Sequence, residues 1–193
     1  MTKIKFPTDS SLSNLLSSDL TFTNAVLKDC AHLAAFVNAA YRGEDSKQGW
    51  TTEAEFLEGQ RTDAADLADF LNTPEHWIFK LEHGTQLLGL VQVYRQERDP
   101  SILQLGMLTV DPHRQRAGLG KEILKRVEIF ARQNDFMKIK MSVISIRQSL
   151  IEYYQRRGFE ILAERERFPY GQPRFGLPKR DDLEFLFLEK KLT

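Results

Sequence analysis

The stretch "VDPHRQRAGLG", residues 110–120, decides which fold this chain is expected to adopt. It closes an apolar run at residues 101–110 and precedes an amphipathic pattern at residues 121–133. Such a pattern predicts a strand that passes through a turn into a helix. Because Gly118 and Gly120 lack a Cβ, the backbone N–H groups at the helix start can come close to a bound anion. We therefore expect a pyrophosphate to bind at this turn.

Three kinds of phosphate site use a glycine-rich turn of this form, and single residues separate them. A nucleotide P-loop places Ser or Thr after Gly-Lys, whereas this chain has Glu122 there. A dinucleotide-binding turn needs a third small residue where Ile123 stands. Arg114, Gln115 and Arg116 add two charges and an amide donor to the turn. A coenzyme A site is the interpretation that remains.

The composition of the whole chain limits the classes of partner. Lys and Arg number 27 and Asp and Glu number 27, so the formal net charge is zero and no bulk attraction to nucleic acid or to a membrane surface is expected. The one cysteine, Cys30, lies in an apolar helical pattern and is expected to be an inert core thiol. No apolar run reaches the length of a membrane span or of a signal-peptide core. We expect a cytoplasmic protein with no membrane partner.

The order of apolar periodicities predicts one α/β (α+β) domain at residues 20–193, after a loose N-terminal extension at residues 1–19. Thr52 followed by Glu55 forms a capping box, which predicts a short helix at residues 52–59. A single-domain mixed central sheet with helices on both faces follows from this order. The predicted helices lie at residues 27–41, 52–59, 62–71, 121–133 and 148–157. The predicted strands begin near residue 20 and continue at 76–94 (a hairpin), 101–110, 137–144, 159–168 and 182–190.

Two motifs in this order resemble those of the GNAT superfamily of acyl-CoA N-acyltransferases. They are "QRAGLG" at residues 115–120 and "YYQRRGF" at residues 153–159. The resemblance covers residues 20–191 in element order and residues 102–160 in motif detail. It implies a GNAT-like fold, acetyl-CoA as the acyl donor, no metal, and direct attack by a small-molecule or peptide amine. A homodimer is a further expectation.

The resemblance also assigns the cofactor site. The backbone N–H groups of the turn would hold the pyrophosphate, and the strand before it would pair with the pantetheine arm. A bulge near Gly106 and Met107 is expected to splay this strand from the parallel strand at residues 137–144 and admit the thioester. The implied cofactor-binding residues are Leu108, Thr109, Val110, Gln115, Arg116, Ala117, Gly118, Leu119, Gly120, Lys121 and, where many relatives carry an Asn, Arg147.

Tyr154 stands where many GNAT enzymes place the tyrosine that protonates the departing thiolate. A tyrosine with its usual pKa of about 10 is protonated at neutral pH and can donate. The alternative role is that of a core aromatic whose hydroxyl is already hydrogen-bonded. Tyr153 points away from Tyr154 on the helix and is the weaker candidate.

The general base is where the sequence departs from the family pattern. Many relatives carry a Glu on the central strand, but "SILQLGMLTV" (101–110) has no carboxylate. We take Glu53 as the candidate base, with capping and solvation of a short helix as its alternative role. The candidate acceptor-binding residues are Trp50, Glu53, Phe168 and Tyr170. If catalysis has been lost, the chain would be a non-catalytic coenzyme A-binding sensor or interaction module.

Overall fold

The computed structural model describes residues 20–42, 46, 52–115, 117–172 and 175–192. The predicted extension at residues 1–19 lies outside the described residues, as do Trp50 and Arg116. The strands are β1 (Leu20–Asn24), β2 (Leu57–Glu58), β3 (His76–His83), β4 (Gln86–Arg95), β5 (Ile102–Val110), β6 (Lys138–Ile144), β7 (Glu160–Arg167), β8 (Leu177–Pro178) and β9 (Glu184–Lys191). The α-helices are α1 (Cys30–Tyr41), α2 (Ala64–Asn72), α3 (Leu119–Gln133) and α4 (Gln148–Gln155).

Seven of these strands form one mixed sheet in the order β1-β3-β4-β5-β6-β9-β7. Only β5 and β6 are parallel neighbours in it, and the other neighbours are antiparallel. This arrangement confirms the predicted mixed central sheet. A separate ladder joins β2 to β8, where Leu57 lies opposite Pro178.

Helices cover both faces of the sheet, as the sequence predicts. Because side chains alternate along a strand, Ile78 and Phe79 of β3 point to opposite faces. Phe79 packs with Phe130 of α3 in the larger apolar cluster, and Ile78 packs with Leu67 of α2 in a second one. All four side chains are fully buried, and each stabilises the fold by about 2 kcal/mol.

The predicted bulge in β5 is present, and it separates β5 from β6. At the register shift between β4 and β5, Met107 and Leu108 lie opposite Val91 alone. Met107 has a φ of 45°, in the left-handed region that non-glycine residues rarely adopt. The pairing of β5 with β6 ends where Leu105 faces Met141. Beyond the bulge the two parallel strands no longer hydrogen-bond to each other.

The short helix predicted for residues 52–59 is wrong. The Thr52 hydroxyl accepts a hydrogen bond from the Ala54 N–H at 3.2 Å, but the chain continues as a turn and then as β2. Phe56 and Leu57 are buried in a third apolar cluster with Phe168. The capping signal was local, and the burial of two adjacent apolar side chains in a two-stranded ladder overrode it.

Several features of the described residues bear on other classes of function. Cys30 is buried among the apolar side chains of α1, as predicted for a core thiol. Within the described ranges, no three His, Cys, Asp or Glu side chains lie close enough together to hold a metal ion. None of the helices in those ranges has the length and apolarity that a membrane span requires.

Candidate functional site

The turn between β5 and α3 contains two glycines that are needed for different reasons. Gly118 caps the start of α3 with a φ of 81°, a left-handed conformation that glycine adopts without strain. Gly120 lies in the first turn of α3, where a Cβ would stand 2.7 Å from the Tyr153 hydroxyl of α4. The first glycine therefore shapes the backbone of the turn, and the second lets α4 approach it.

A cavity of about 280 Å³ lies between this turn and α4. Most of the predicted cofactor-binding residues line it: Leu108, Val110, Gln115, Gly118, Leu119, Gly120, Lys121 and Arg147. Two others do not line it, since Thr109 is buried with its hydroxyl donating to the Met107 carbonyl at 3.1 Å, and Ala117 faces solvent. The structure thus brings together the turn, the end of β5 and the start of α4.

The charge of this cavity suits a phosphate-bearing ligand. Its described lining contains the basic side chains of Arg114, Lys121, Arg147 and Arg157 and no carboxylate. The free N–H groups at the start of α3 add the positive end of a helix dipole. These residues fit the pyrophosphate of coenzyme A. Arg157 lies within the "YYQRRGF" motif, but it is not among the cofactor-binding residues that the sequence predicts.

Tyr154 projects from α4 to the inner end of this cavity and is 5% exposed. Within the described part of the chain, its hydroxyl has no hydrogen-bond partner, unlike that of an ordinary buried tyrosine. Burial raises the pKa of Tyr154 well above its usual value, and the neighbouring Tyr41 acts in the same direction. The hydroxyl is therefore protonated at neutral pH and free to donate.

Tyr153 lines the same cavity, nearer to the turn. The guanidinium of Arg157 lies 3.3 Å from its ring centroid and donates to the Tyr153 carbonyl at 2.7 Å. Burial raises the pKa of Tyr153, and the Arg157 charge opposes this. Tyr153 is thus held against Gly120 and shapes the wall of the cavity.

Tyr41, at the end of α1, is a site residue that the sequence analysis missed. Its hydroxyl donates to the Leu108 carbonyl at 2.7 Å and so ties α1 to the bulged part of β5. Burial raises the pKa of Tyr41, and the Glu53 charge adds to the effect. In the sequence, Tyr41 only ends a helical pattern, and no motif marks it.

A second cavity, of about 510 Å³, adjoins the first. Both cavities are lined by Tyr41, Leu108, Arg147, Leu150 and Tyr154. The second cavity extends across the place where β5 and β6 separate, and both strands contribute to its lining. The two cavities therefore meet at the bulge.

Two of the predicted acceptor-binding residues, Glu53 and Phe168, line this second cavity. Tyr170 does not line it, because its hydroxyl accepts a hydrogen bond from the Leu183 N–H at 2.8 Å and its ring packs against Phe168. Trp50 lies outside the described residues.

Glu53 is buried and surrounded by guanidinium groups. Its Oε1 accepts from Arg147 at 3.1 Å, and its Oε2 accepts from Arg42 at 2.9 Å. Arg61 Nε lies 3.9 Å from Oε2. Burial lowers the pKa of Arg42, and the Glu53 charge opposes that shift. The alternative role considered for Glu53, capping and solvation of a short helix, is wrong because no helix forms there and the side chain is buried and ion-paired.

Comparison with known proteins decides the family. The family model described as the acetyltransferase (GNAT) family matches residues 41–159. This chain belongs to the GNAT acetyltransferase family. The matched range contains Tyr41, the turn and Tyr154, and it confirms the resemblance first seen in the two motifs.

Two curated relatives of this GNAT chain are moderately similar in sequence. N-acetyltransferase family 8 member 3 of Mus musculus is 28% identical over 120 residues, which are 60% of this chain and 53% of the relative. N-acetylaspartate synthetase of Danio rerio is 28% identical over 131 residues, which are 66% of this chain and 44% of the relative. The GNAT chain thus spans about half the length of these relatives.

Solved structures share the fold at lower identity. The ribosomal-protein-S18-alanine N-acetyltransferase of Escherichia coli has a TM-score of 0.63 at 16% identity, over 90% of this chain and 94% of that one. An acetyltransferase from Salmonella typhimurium, yncA, was solved with its cofactor acetyl-CoA. It has a TM-score of 0.64 at 18% identity, over 91% of this chain and 95% of that one. At these identities the likeness confirms the GNAT fold.

Proposed function

We propose that this chain is an acetyl-CoA-dependent N-acetyltransferase that transfers the acetyl group directly to a primary amine. One observation carries the proposal: a basic cavity at the glycine-rich turn meets a second cavity at the point where β5 and β6 separate. The hydroxyl of Tyr154, which has no hydrogen-bond partner among the described residues, lies at this junction. A donor and an acceptor can thus enter from two sides and meet beside a proton donor.

The donor would lie in the basic cavity. The N–H groups around Gly118 and Gly120 would hold the pyrophosphate, helped by Lys121 and Arg114. The end of β5, Leu108 to Val110, would pair with the pantetheine arm. This places the thioester at the bulge, where β5 offers backbone N–H groups that no longer pair with β6.

The chemistry at the bulge is a direct transfer. The amine nitrogen attacks the thioester carbonyl carbon, the C–S bond breaks, and the proton that the nitrogen loses balances the one that the sulfur gains. A backbone N–H near Leu108 would stabilise the oxyanion. The Tyr154 hydroxyl would donate to the departing sulfur. The enzyme holds both reactants in place and needs no covalent intermediate of its own.

Glu53 remains our candidate for the group that accepts the proton of the amine, directly or through water. An amine must be neutral to attack, since an ammonium has no lone pair. The pairing of both carboxylate oxygens with Arg42 and Arg147 supports a second role, which is to hold these guanidinium groups in place. The two roles predict different outcomes for Glu53→Gln.

The acceptor is proposed as a small-molecule amine or a peptide amine. The zebrafish relative is named N-acetylaspartate synthetase, and the Escherichia coli structure is named for an alanine of ribosomal protein S18. The amines of free amino acids and of protein chains are therefore both candidate acceptors. A cytoplasmic location and a homodimer remain predictions.

Calorimetric titration with acetyl-CoA, followed by thiol release in the presence of amines, tests the proposal. We expect acetyl-CoA to bind at micromolar concentration and at least one amine to release thiol. Binding without turnover on any amine would instead favour the non-catalytic sensor, which the comparisons do not support. An absence of binding at millimolar acetyl-CoA would end both interpretations.

A further inference from the structure

Three guanidinium groups surround one carboxylate in the second cavity. We call it the acceptor cavity, because the proposed acceptor would enter there. We call Arg42, Arg61 and Arg147 the arginine cluster; all three line this cavity and lie within 4 Å of Glu53. They come from the end of α1, the segment before α2 and the start of α4. The cluster is thus a product of the tertiary fold.

The positive charge of the arginine cluster exceeds the negative charge that is buried with it. Within the described lining, Glu53 is the buried carboxylate, and the other acid, Glu166, is exposed on β7. The Arg42 side chain is 6% exposed, and its Nε has no hydrogen-bond partner among the described residues. Burial lowers the pKa of Arg42; Glu53 opposes the shift, whereas Arg61 and Arg147 reinforce it. A further negative charge beside the arginine cluster would therefore be stabilised.

Arg61 is the member of the cluster that is placed to bind a ligand. Its side chain is 29% exposed, and its 3.9 Å separation from Glu53 is beyond hydrogen-bond distance. Its backbone is fixed because the Arg61 N–H donates to Asn38 Oδ1 at 2.6 Å. Its guanidinium lies 5.8 Å from the Tyr41 ring centroid, and the Tyr41 hydroxyl contacts the Leu108 carbonyl. One tyrosine side chain thus separates Arg61 from the bulge of β5.

An acceptor that brings only an ammonium group would meet a cavity of the same sign. A carboxylate on the same molecule would turn this repulsion into attraction, since a guanidinium binds a carboxylate with two parallel hydrogen bonds. We propose that the acceptor is an amino acid, a primary amine whose carboxylate is bound by Arg61 at the edge of the arginine cluster. The transfer step rests on the proposed function, whereas the carboxylate site does not.

Matched acceptors test this proposal. The probes are the L-α-amino acids and their α-carboxamides, and the measurement is kcat/KM for thiol release from acetyl-CoA. Each value is corrected for the fraction of neutral amine, because loss of the carboxylate charge lowers the pKa of the α-amine. We expect the best amino acid to exceed its carboxamide by about tenfold or more, since a hydrogen bond to a charged group contributes about 1.5–3 kcal/mol. Carboxamides that react as well as the free acids would overturn the proposal.

Variants of Arg61 locate the carboxylate. Arg61→Gln is expected to lower kcat/KM for the amino acid by about ten- to a hundredfold, with little change for the carboxamide and none in the KM for acetyl-CoA. Arg61→Lys should restore part of the loss. The control is Arg156→Gln, which removes an arginine that is 64% exposed directly after α4, outside both cavities, and should change nothing. An equal loss on both acceptors would overturn the assignment.

A binding measurement separates this proposal from the proposed function. Calorimetry on the coenzyme A-loaded protein would compare an N-acetyl amino acid with its amide, in the wild type and in Arg61→Gln. If no acceptor is turned over but the N-acetyl amino acid binds through Arg61, the proposed function fails and the carboxylate site stands. If the acid and the amide bind equally to the wild type, the carboxylate site fails, even where Arg61→Gln does not fold.

Discussion

Single residues explain why the turn before α3 needs two glycines. Gly118 has a left-handed backbone, and Gly120 faces the Tyr153 hydroxyl across a gap too narrow for a Cβ. The sequence analysis assigned both to the approach of a phosphate. The structure shows a backbone reason for Gly118 and a packing reason for Gly120, and the approach of a phosphate to the turn stays a prediction.

A double-mutant cycle tests the packing of Gly120 against Tyr153. Alone, Gly120→Ala gains about 1 kcal/mol in helix propensity but crowds the hydroxyl, which costs about 1–3 kcal/mol. In the Tyr153→Phe background the crowding is gone, so the same change should be more favourable by about 1 kcal/mol or more. Denaturant unfolding of the four proteins measures this coupling. Equal effects in the two backgrounds, within about 0.5 kcal/mol, would refute the contact.

The burial of Tyr154 predicts how stability changes with pH. In the unfolded chain its pKa is about 10, and burial raises it in the folded protein. Above about pH 10 the unfolded state loses this proton while the folded state keeps it. The free energy of unfolding should therefore fall as pH rises, by about 1.4 kcal/mol per pH unit for this group. Urea unfolding from pH 8 to pH 11 should give a shallower fall in Tyr154→Phe, and an unchanged slope would contradict the assignment.

Glu53→Gln separates the two roles of this carboxylate. As the anion that holds the arginine cluster, Glu53 should be structural, and its neutralisation should destabilise the protein by about 3 kcal/mol because buried guanidinium groups lose their partner. The matched control is Glu58→Gln, which breaks a surface pair with Lys179 and should cost about 0–1 kcal/mol. Chemical denaturation compares the two. Unchanged stability with lost activity would instead identify Glu53 as a base alone.

At the scale of elements, the bulge in β5 is the place where we propose that the reaction occurs. Met107 holds a φ that β-branched residues avoid, so its backbone is strained. Met107→Ile is expected to destabilise the bulge and weaken acetyl-CoA binding by about tenfold, since such strain costs about 1–3 kcal/mol.

The matched control for this change is Leu105→Ile, two residues earlier in β5 and still paired with β6. It changes a buried side chain of similar volume in the extended part of the strand, so acetyl-CoA affinity should stay nearly constant. Calorimetric titration of both variants gives the comparison. Equal losses of affinity would mean that the bulge has no special part in binding.

Periodicity and turn chemistry predicted most elements, because the alternation of β6 and the amphipathic face of α3 are local properties. The β3–β4 hairpin and the bulge in β5 were also predicted correctly. The segment at residues 52–59 was not, because its conformation depends on pairing with β8, which lies far along the chain. A local capping signal cannot report such a partner.

At the scale of the whole molecule, most of the lining of the first cavity was predictable from the sequence, whereas the lining of the second was predictable only in part. The turn and Tyr154 belong to motifs that are continuous in sequence. Tyr41, Arg42 and Arg61 join the site only because α1 and the segment before α2 fold against the bulge. No spacing in the sequence relates them to Glu53 or to one another.

A product measurement tests the proposal that this GNAT chain transfers acetyl groups with Tyr154 as the proton donor. The chain is incubated with acetyl-CoA and the amino-acid panel, and mass spectrometry counts acetylated amine against released thiol. We predict one acetylated amine per thiol, with Tyr154→Phe reducing kcat by about a hundredfold while acetyl-CoA still binds. Full activity in Tyr154→Phe, or thiol release without any acetylated amine, would contradict the account.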